Sequence, residues 1–284
     1  MASLNQRLVE AKEALTKAGI RADEATLDAE LLARSVLGWD RAAVLTHRTE
    51  PTPADFDARY HPLVARRAAR EPVAYIIGHT EFWGLQFEVN TDVLIPRPET
   101  EILVEEAIAW ARGHANCRRI IDVCTGSGCI AIALALEVLE AEIIATDSSA
   151  AALAVARRNA LRHGVDARIT FTQTDLLDEV DETAEVIVSN PPYVPHSDAE
   201  GLQPEVAVYE PAAALYGGDG DGLDVVRRLF ATASRNLAGE GHLVIEFGFG
   251  QDEQVRDAAR QAGWDVKRVR NDLQGIPRVA VLRR

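Results

Sequence analysis

Ile120-Ile121-Asp122-Val123-Cys124-Thr125-Gly126-Ser127-Gly128 reads as a short apolar strand entering a glycine-rich turn, and Ile130 to Leu139 reads as the helix that follows. Glycines let the backbone approach a ligand closely and a helix N-terminus offers unpaired N–H groups, so a nucleotide-like ligand is expected at this turn. The alternation continues downstream. Ile143-Ile144-Ala145-Thr146, Ile169-Thr170-Phe171, Val186-Ile187-Val188 and Leu243-Val244-Ile245 are short β-rich runs separated by helical segments such as Ala150 to His163. Apolar strands alternating with helices imply an α/β fold, with a parallel sheet covered on both faces. Near the end, Val266 to Val269 and Val279 to Leu282 flank Gly275-Ile276-Pro277 and are expected to pair antiparallel.

Upstream of the first strand the pattern is different. Leu4, Leu8, Ala11, Leu15 and Ala18 recur at helical spacing with Gly19 placed as a C-terminal cap. A second run goes from a capping Asp23 through Leu27, Leu31, Leu32 and Leu37 to Gly38, and Thr52-Pro53 is expected to start a third helix reaching about Arg70. Between Thr80 and Val93, Leu85, Phe87 and Val89 alternate with polar residues, as in a short hairpin. Two prolines stiffen Leu94-Ile95-Pro96-Arg97-Pro98-Glu99-Thr100-Glu101, where Thr100 is placed to cap the next helix. The expected division is a helical domain over 1–75, a linking hairpin and loop over 76–100 and a catalytic domain over 101–284.

The chain has 284 residues, 47% hydrophobic and 26% charged, and no apolar run long enough to span a membrane or form the core of a signal peptide; a soluble cytoplasmic protein is expected. Cys117, Cys124 and Cys129 are odd in number and lack paired spacing, and the seven histidines form no ligand motif, so buried reduced thiols and no metal are expected. A net charge of −14 opposes bulk nucleic-acid binding.

Asp147 ends the second strand about 20 residues beyond the glycines, where an acid accepts hydrogen bonds from ribose hydroxyls. Asp175, after the third strand, suits the exocyclic amine of adenine, with Leu176 packing on the ring. Spacing alone leaves the nucleotide open, because Gly126 to Ala131 also satisfies the GxGxxA pattern of dinucleotide-binding dehydrogenases.

The acceptor side is more specific. After the fourth strand comes Ser189-Asn190-Pro191-Pro192-Tyr193, at the carboxyl edge of the sheet where ligands of open α/β folds bind. An amide nitrogen is a poor nucleophile because its lone pair is delocalised into the carbonyl. The Asn190 side-chain oxygen and the Pro191 backbone carbonyl together can accept both of its hydrogens, orienting the nitrogen and raising its electron density. Pro191 and Pro192 fix the local dihedrals, and the Tyr193 ring can stack on a flat amide. Asn190, Pro191 and Tyr193 are therefore the candidate catalytic residues, with Pro192 completing the substrate loop.

Here the chain resembles the methyltransferases that modify planar nitrogens through an Asn-Pro-Pro-Tyr loop. With Glu71 to Gly78, Phe82-Trp83-Gly84, Leu94 to Glu101, Thr125 to Gly128 and Gly217 to Leu223, it is similar to the release-factor glutamine methyltransferases of the HemK/PrmC type. The resemblance implies a class I S-adenosylmethionine-dependent fold, a Rossmann-like seven-stranded sheet with its last strand antiparallel, preceded by a helical-bundle domain and a linking hairpin. It implies methylation at N5 of the glutamine in the Gly-Gly-Gln loop of peptide chain release factors, with the helical domain as docking element. Cys124, Thr125, Gly126, Ser127 and Gly128, with Asp147, Asp175 and Leu176, would hold S-adenosylmethionine, Asp122 would support their loop, and Asn190 would touch both cofactor and substrate. Two positions depart from the family: Cys124 replaces glycine and Leu176 an aromatic residue.

A monomer is expected. The alternatives are an amino-methyltransferase acting on adenine or guanine, whose exocyclic amines are also planar, an NAD-dependent dehydrogenase, and a binding module without turnover. Phe82, Trp83 and the loop Arg97 to Glu99 either shape the entrance or act as structural fillers.

Overall fold

The computed structural model describes residues 2–114 and 117–284. The chain divides into two compact units, residues 1–79 with 203–209, and residues 80–202 with 210–284.

The first unit contains α1 (Leu4–Lys17), α2 (Ala22–Leu37), α3 (Arg41–Thr46), α4 (Phe56–Ala68) and α5 (Val73–Ile77), joined by the returning helix Pro204–Tyr209. Ser3 and Gln6 form a reciprocal cap at the start of α1. Leu4, Leu8, Ala11 and Leu15 bury one stripe of α1 against Leu32, Phe56, Tyr60 and Val64. Helix α2 does not follow the expected leucine face. Leu27 is 53% exposed, whereas Ala25, Asp28, Ala29, Leu32, Ala33 and Val36 point inward. The small side chains let neighbouring helices approach, and Asp28 is accepted because Arg67 meets it. Asp23 does not cap α2: Arg21 occupies the cap position and ion-pairs with Asp23 in the first turn. The third predicted helix begins at Phe56 rather than at Pro53, with Asp55 before it.

Arg67, 2% exposed, is the polar centre of this unit. Its nitrogens reach Asp28 at 2.6 Å, Glu24 at 2.8 Å and Glu205 at 2.7 Å, and Arg70 holds the other Glu205 oxygen at 2.6 Å. A planar guanidinium presents its donors as a fork, which suits three carboxylates arriving from different segments.

The second unit begins at Thr80, within the hairpin of β1 (His79–Phe82) and β2 (Leu85–Glu88), which is followed by α6 (Glu101–Gly113). Phe82 and Phe87 join the core of this unit, and Glu88 is tied to Asn159 and Arg158. Then come β3 (Arg119–Val123), α7 (Cys129–Glu137), β4 (Glu142–Asp147), α8 (Ala150–Arg162), β5 (Ile169–Gln173), β6 (Ala184–Ser189) and β7 (Val194–Pro195). The Pro204–Tyr209 helix is α9; after it lie α10 (Ala212–Leu215), β8 (Tyr216–Gly218), α11 (Asp224–Asn236), β9 (Leu237–Glu246), α12 (Asp252–Gln261), β10 (Asp265–Asn271) and β11 (Pro277–Arg283).

Seven strands form one sheet in the order β10-β11-β9-β6-β3-β4-β5, and β7 pairs with β8 separately. The five strands β9, β6, β3, β4 and β5 are mutually parallel, β11 runs antiparallel to β9, and β10 antiparallel to β11. Two apolar layers cover the faces, one centred on α6 and α7, the other on α11 and α12. No helix among the described residues is long and apolar enough to cross a membrane.

One register positions the site. From β3 the chain steps through β4 and β5 to one side and then returns to place β6 on the other, so the order of strands switches between β3 and β6. Val123 is paired with Ser189, and the Ser189 hydroxyl donates to the Val123 carbonyl at 2.8 Å. The glycine turn and the Asn-Pro-Pro-Tyr loop therefore leave the sheet side by side, where open α/β sheets bind ligands.

Candidate active site

Asp122, the last residue but one of β3, is completely buried. Its Oδ2 accepts from the Thr125 hydroxyl at 2.6 Å and from the Ala131 N–H at 3.1 Å, which fastens the glycine turn to the first turn of α7. One N–H that the sequence reading left free for a ligand is thus taken by a carboxylate. Burial raises the Asp122 pKa to about 7. Asp147 braces the turn from the other side: its two oxygens accept from the N–H groups of Gly126 and Ser149, each at 2.9 Å, and burial again raises its pKa.

The glycines do different work. Gly126 lines an open space, whereas a Cβ on Gly128 would lie 3.0 Å from that of Ala156. Gly128 therefore lets α7 and α8 close together. Cys124 and Leu176 have left-handed backbones, with φ of 63° and 50°, a conformation that costs a side-chain-bearing residue about 1–2 kcal/mol. At Cys124, where the family resemblance calls for glycine, the backbone shows why. The Leu176 carbonyl is held by the Thr146 hydroxyl at 2.8 Å.

These elements surround a cavity of about 290 Å³, near the lower end of small-molecule sites. Cys124, Thr125, Gly126, Ser127, Asp147, Asp175, Leu176, Asn190 and Pro192 all line it. Asp122, Gly128, Pro191 and Tyr193 are absent from the wall: the first two hold it from behind, and Pro191 is buried. Asp175 is bound to Arg228 at 2.5 Å, so an arginine sits at the end assigned to adenine. Leu94 and Pro96, together with Pro211 and Ala214, supply wall that the sequence reading did not assign. Glu210 joins these two segments, accepting from the Ile95 N–H at 3.2 Å and pairing with Arg97.

The field in the cavity discriminates between ligands. Three carboxyls, Asp92, Asp147 and Asp175, line the cavity against one cation, Arg228, which is paired with Asp175. Such surroundings favour a cation and oppose a pyrophosphate. Asp147 spends two acceptor sites on the backbone and retains others for hydroxyl donors. The residues present thus suit a nucleoside carrying a positive sulfur better than a dinucleotide. Among the described residues no group of three His, Cys, Asp or Glu is arranged to hold a metal ion.

On the acceptor side Asn190 Nδ2 donates to the Thr100 hydroxyl oxygen at 3.2 Å. Thr100 is buried and makes no capping bond to the helix behind it, contrary to the sequence expectation; its hydroxyl is engaged here instead. The Tyr193 hydroxyl donates to Glu246 Oε1 at 3.2 Å, while its ring packs on the α11–α12 layer. Gln251 pins the loop. Its Nε2 donates to the carbonyls of Tyr193 and Asp221, both at 2.8 Å, and its Oε1 accepts from Gly248 N–H at 2.7 Å.

Comparison with known proteins matches this arrangement. Residues 6–78 fit the family model described as the PrmC N-terminal domain, and residues 100–209 that described as the methyltransferase small domain. A release factor glutamine methyltransferase from Geobacter sulfurreducens is 43% identical over 258 residues, covering 90% of this chain and 89% of the relative. The chain belongs to the release factor glutamine methyltransferase family. Another member, from Deinococcus radiodurans, is 38% identical over 99% of this chain and 98% of its own. Among solved structures, the ribosomal protein L11 methylase of Lactobacillus delbrueckii subsp. bulgaricus aligns with a TM-score of 0.51 at 20% identity, covering 69% of this chain and 83% of its own. The hMettl16 catalytic domain, in complex with a MAT2A 3′UTR hairpin, gives 0.53 at 19%, covering 77% and 81%. At those identities the structures share the class I methyltransferase fold.

Glu246 and Gln251 escaped the sequence reading. Neither belongs to the motif; the local signal is Glu246-Phe247-Gly248 at the carboxyl end of an apolar strand, the same end at which Asp122 and Asn190 lie on theirs.

Proposed function

We propose that the chain transfers a methyl group from S-adenosylmethionine to N5 of the glutamine in the Gly-Gly-Gln loop of peptide chain release factors. The observation that carries this is the fixed Asn190 amide: Nδ2 is occupied by Thr100, which leaves Oδ1 as the acceptor at the cavity wall. When bound, S-adenosylmethionine supplies a methyl carbon activated by a sulfonium. Asp147 holds its ribose, the Cys124-to-Gly128 turn its amino-acid portion, and Asp175 with Leu176 its adenine; Asp122 keeps the turn in place. Asn190 Oδ1 and the Pro191 carbonyl take the two hydrogens of the substrate carboxamide, while Tyr193, whose ring packs on the α11–α12 layer and not on the cavity, anchors the loop through Glu246 and does not stack on the amide as the sequence suggested. Chemistry then proceeds mainly by positioning, since a correctly held pair of reactants avoids most of the entropic barrier.

The same grip suits a nucleobase amine, but a chain carrying −14 charges is poorly matched to a polyanion. The test is incubation with methyl-labelled S-adenosylmethionine and either a release factor or nucleic acid, followed by mass analysis. Label on the Gly-Gly-Gln glutamine is expected; label only in nucleic acid defeats the proposal. Asn190→Ala is expected to reduce turnover at least a hundredfold with unchanged unfolding behaviour, and full retention would remove the amide grip.

A further inference from the structure

Resting on that reading, we infer that Glu246 is a positioning residue that sets the direction of the hydrogen bonds behind the acceptor loop. Its carboxyl is 2% exposed at the end of β9. Oε1 accepts from the Tyr193 hydroxyl at 3.2 Å, and Thr100, whose oxygen accepts from Asn190 Nδ2 and whose own hydrogen is free to be donated, stands beside the same carboxyl. Oε2 has no hydrogen-bond partner among the described residues. A buried carboxylate oxygen left without a donor costs on the order of 1–3 kcal/mol or more, so a donor turned towards it is favoured.

The direction follows from counting hydrogens. A carboxylate only accepts, and a threonine hydroxyl has one hydrogen and two lone pairs. With the Thr100 hydrogen directed to Glu246, Thr100 offers Asn190 nothing but lone pairs. Asn190 must then turn Nδ2 towards Thr100, as observed, and its Oδ1 towards the acceptor position. If the carboxyl becomes a donor, the chain reverses: the Thr100 hydrogen points to Asn190, Asn190 flips, and an N–H donor faces the substrate N–H. Two donors cannot bond each other. Glu246 thus acts through Thr100 on Asn190, and directly on Tyr193.

This makes ionised Glu246 the working form. Groups facing it are Tyr193 and Thr100, Glu99 in the turn before α6, Cys129 on α7 and Arg278 on β11. Burial, with Glu99 adding to it, raises its pKa to about 7 against the opposing hydroxyls and Arg278.

The test is steady-state methylation of a release factor across pH 5.5–9 by wild type, Glu246→Gln, Thr100→Val, Thr100→Ser and Glu246→Gln with Thr100→Val, each checked by circular dichroism and by calorimetric S-adenosylmethionine binding. Glu246→Gln keeps the shape but introduces an N–H donor. We expect it to lose ten- to a hundredfold in kcat with cofactor affinity within twofold of wild type, and to lose the acidic limb near pH 7. Thr100→Val is expected to match that loss, Thr100→Ser to recover most of it, and the double variant to be no worse than Thr100→Val alone. Wild-type kcat with an intact acidic limb in Glu246→Gln, or strictly multiplicative losses in the double variant, overturns the inference and leaves the proposed function standing. Absence of wild-type turnover overturns both.

Discussion

Adding one methyl group at each of two neighbouring glycines separates the ligand-facing part of the turn from the part that packs. Gly126 and Gly128 both have left-handed backbones, with φ of 54° and 81°, so alanine costs about 1–2 kcal/mol at either position. The stabilisation that Gly→Ala gains by restricting the unfolded chain, roughly 0.4–1 kcal/mol, is also common to both. The surroundings differ. At Gly126 the new Cβ meets nothing within 4 Å; at Gly128 it lies 3.0 Å from Ala156 Cβ, 3.2 Å from Ala156 Cα and 3.3 Å from Ile132 Cδ1. The Ala156 Cα is backbone of α8 and yields only if the helix moves, so overpacking adds about 1–3 kcal/mol at Gly128 alone. Urea unfolding should therefore show Gly128→Ala less stable than Gly126→Ala by about 1–3 kcal/mol with equal m-values. Calorimetry with S-adenosylmethionine should show Gly126→Ala as the weaker binder, by about tenfold, because its methyl takes room from the cavity wall. Stabilities within about 0.5 kcal/mol of each other would refute the packing role assigned to Gly128.

Stability should fall as pH rises from about 5 to 7, above the range in which the ion-paired carboxyls Glu88, Glu205, Asp221 and Asp272, held below their usual values, add stability as they ionise. Burial lifts Asp122 and Glu246 to about 7, so the folded chain retains protons that the unfolded chain has released, a loss of up to about 1.4 kcal/mol per pH unit per group that ends above the folded pKa. Half-buried His242, with its pKa lowered, acts oppositely as pH falls below 6.5; comparison with Asp122→Asn, which should show a flatter slope, isolates Asp122. Arg67→Ala should lose about 3–5 kcal/mol in denaturant unfolding, since it strands Asp28 in the interior and leaves Glu205 with Arg70 alone. Gln251→Ala should lower stability by about 1–3 kcal/mol and reduce kcat for release-factor methylation more than cofactor affinity, because two carbonyls and the Gly248 N–H lose their partner.

The parallel strands were legible because each is a short β-branched run, and the Asn-Pro-Pro-Tyr loop because proline pairs are rare after a strand. What escaped were relations that only folding creates. Thr100 has the composition of a helix cap, yet its hydroxyl serves Asn190, 90 residues away. Leu27 fits an apolar stripe better than Asp28 until Arg67 arrives from α4. Gly126 and Gly128 are indistinguishable as letters in a motif, and only the closeness of Ala156 assigns them separate tasks. Glu246 sits at the end of a strand like the acids of the motif, but its hydroxyl partners come from two distant loops.

The return of residues 203–209 to the first unit also governs the order in which a nascent chain can finish its parts. Helices α1 to α5 leave the ribosome long before Glu205, so Arg67 waits with one of its three carboxylates still unsynthesised. Folding from the N-terminus outward is the usual rule for multidomain chains. Here the first part to emerge is completed only after the turn carrying Cys124, and the loop carrying Asn190, have already been made.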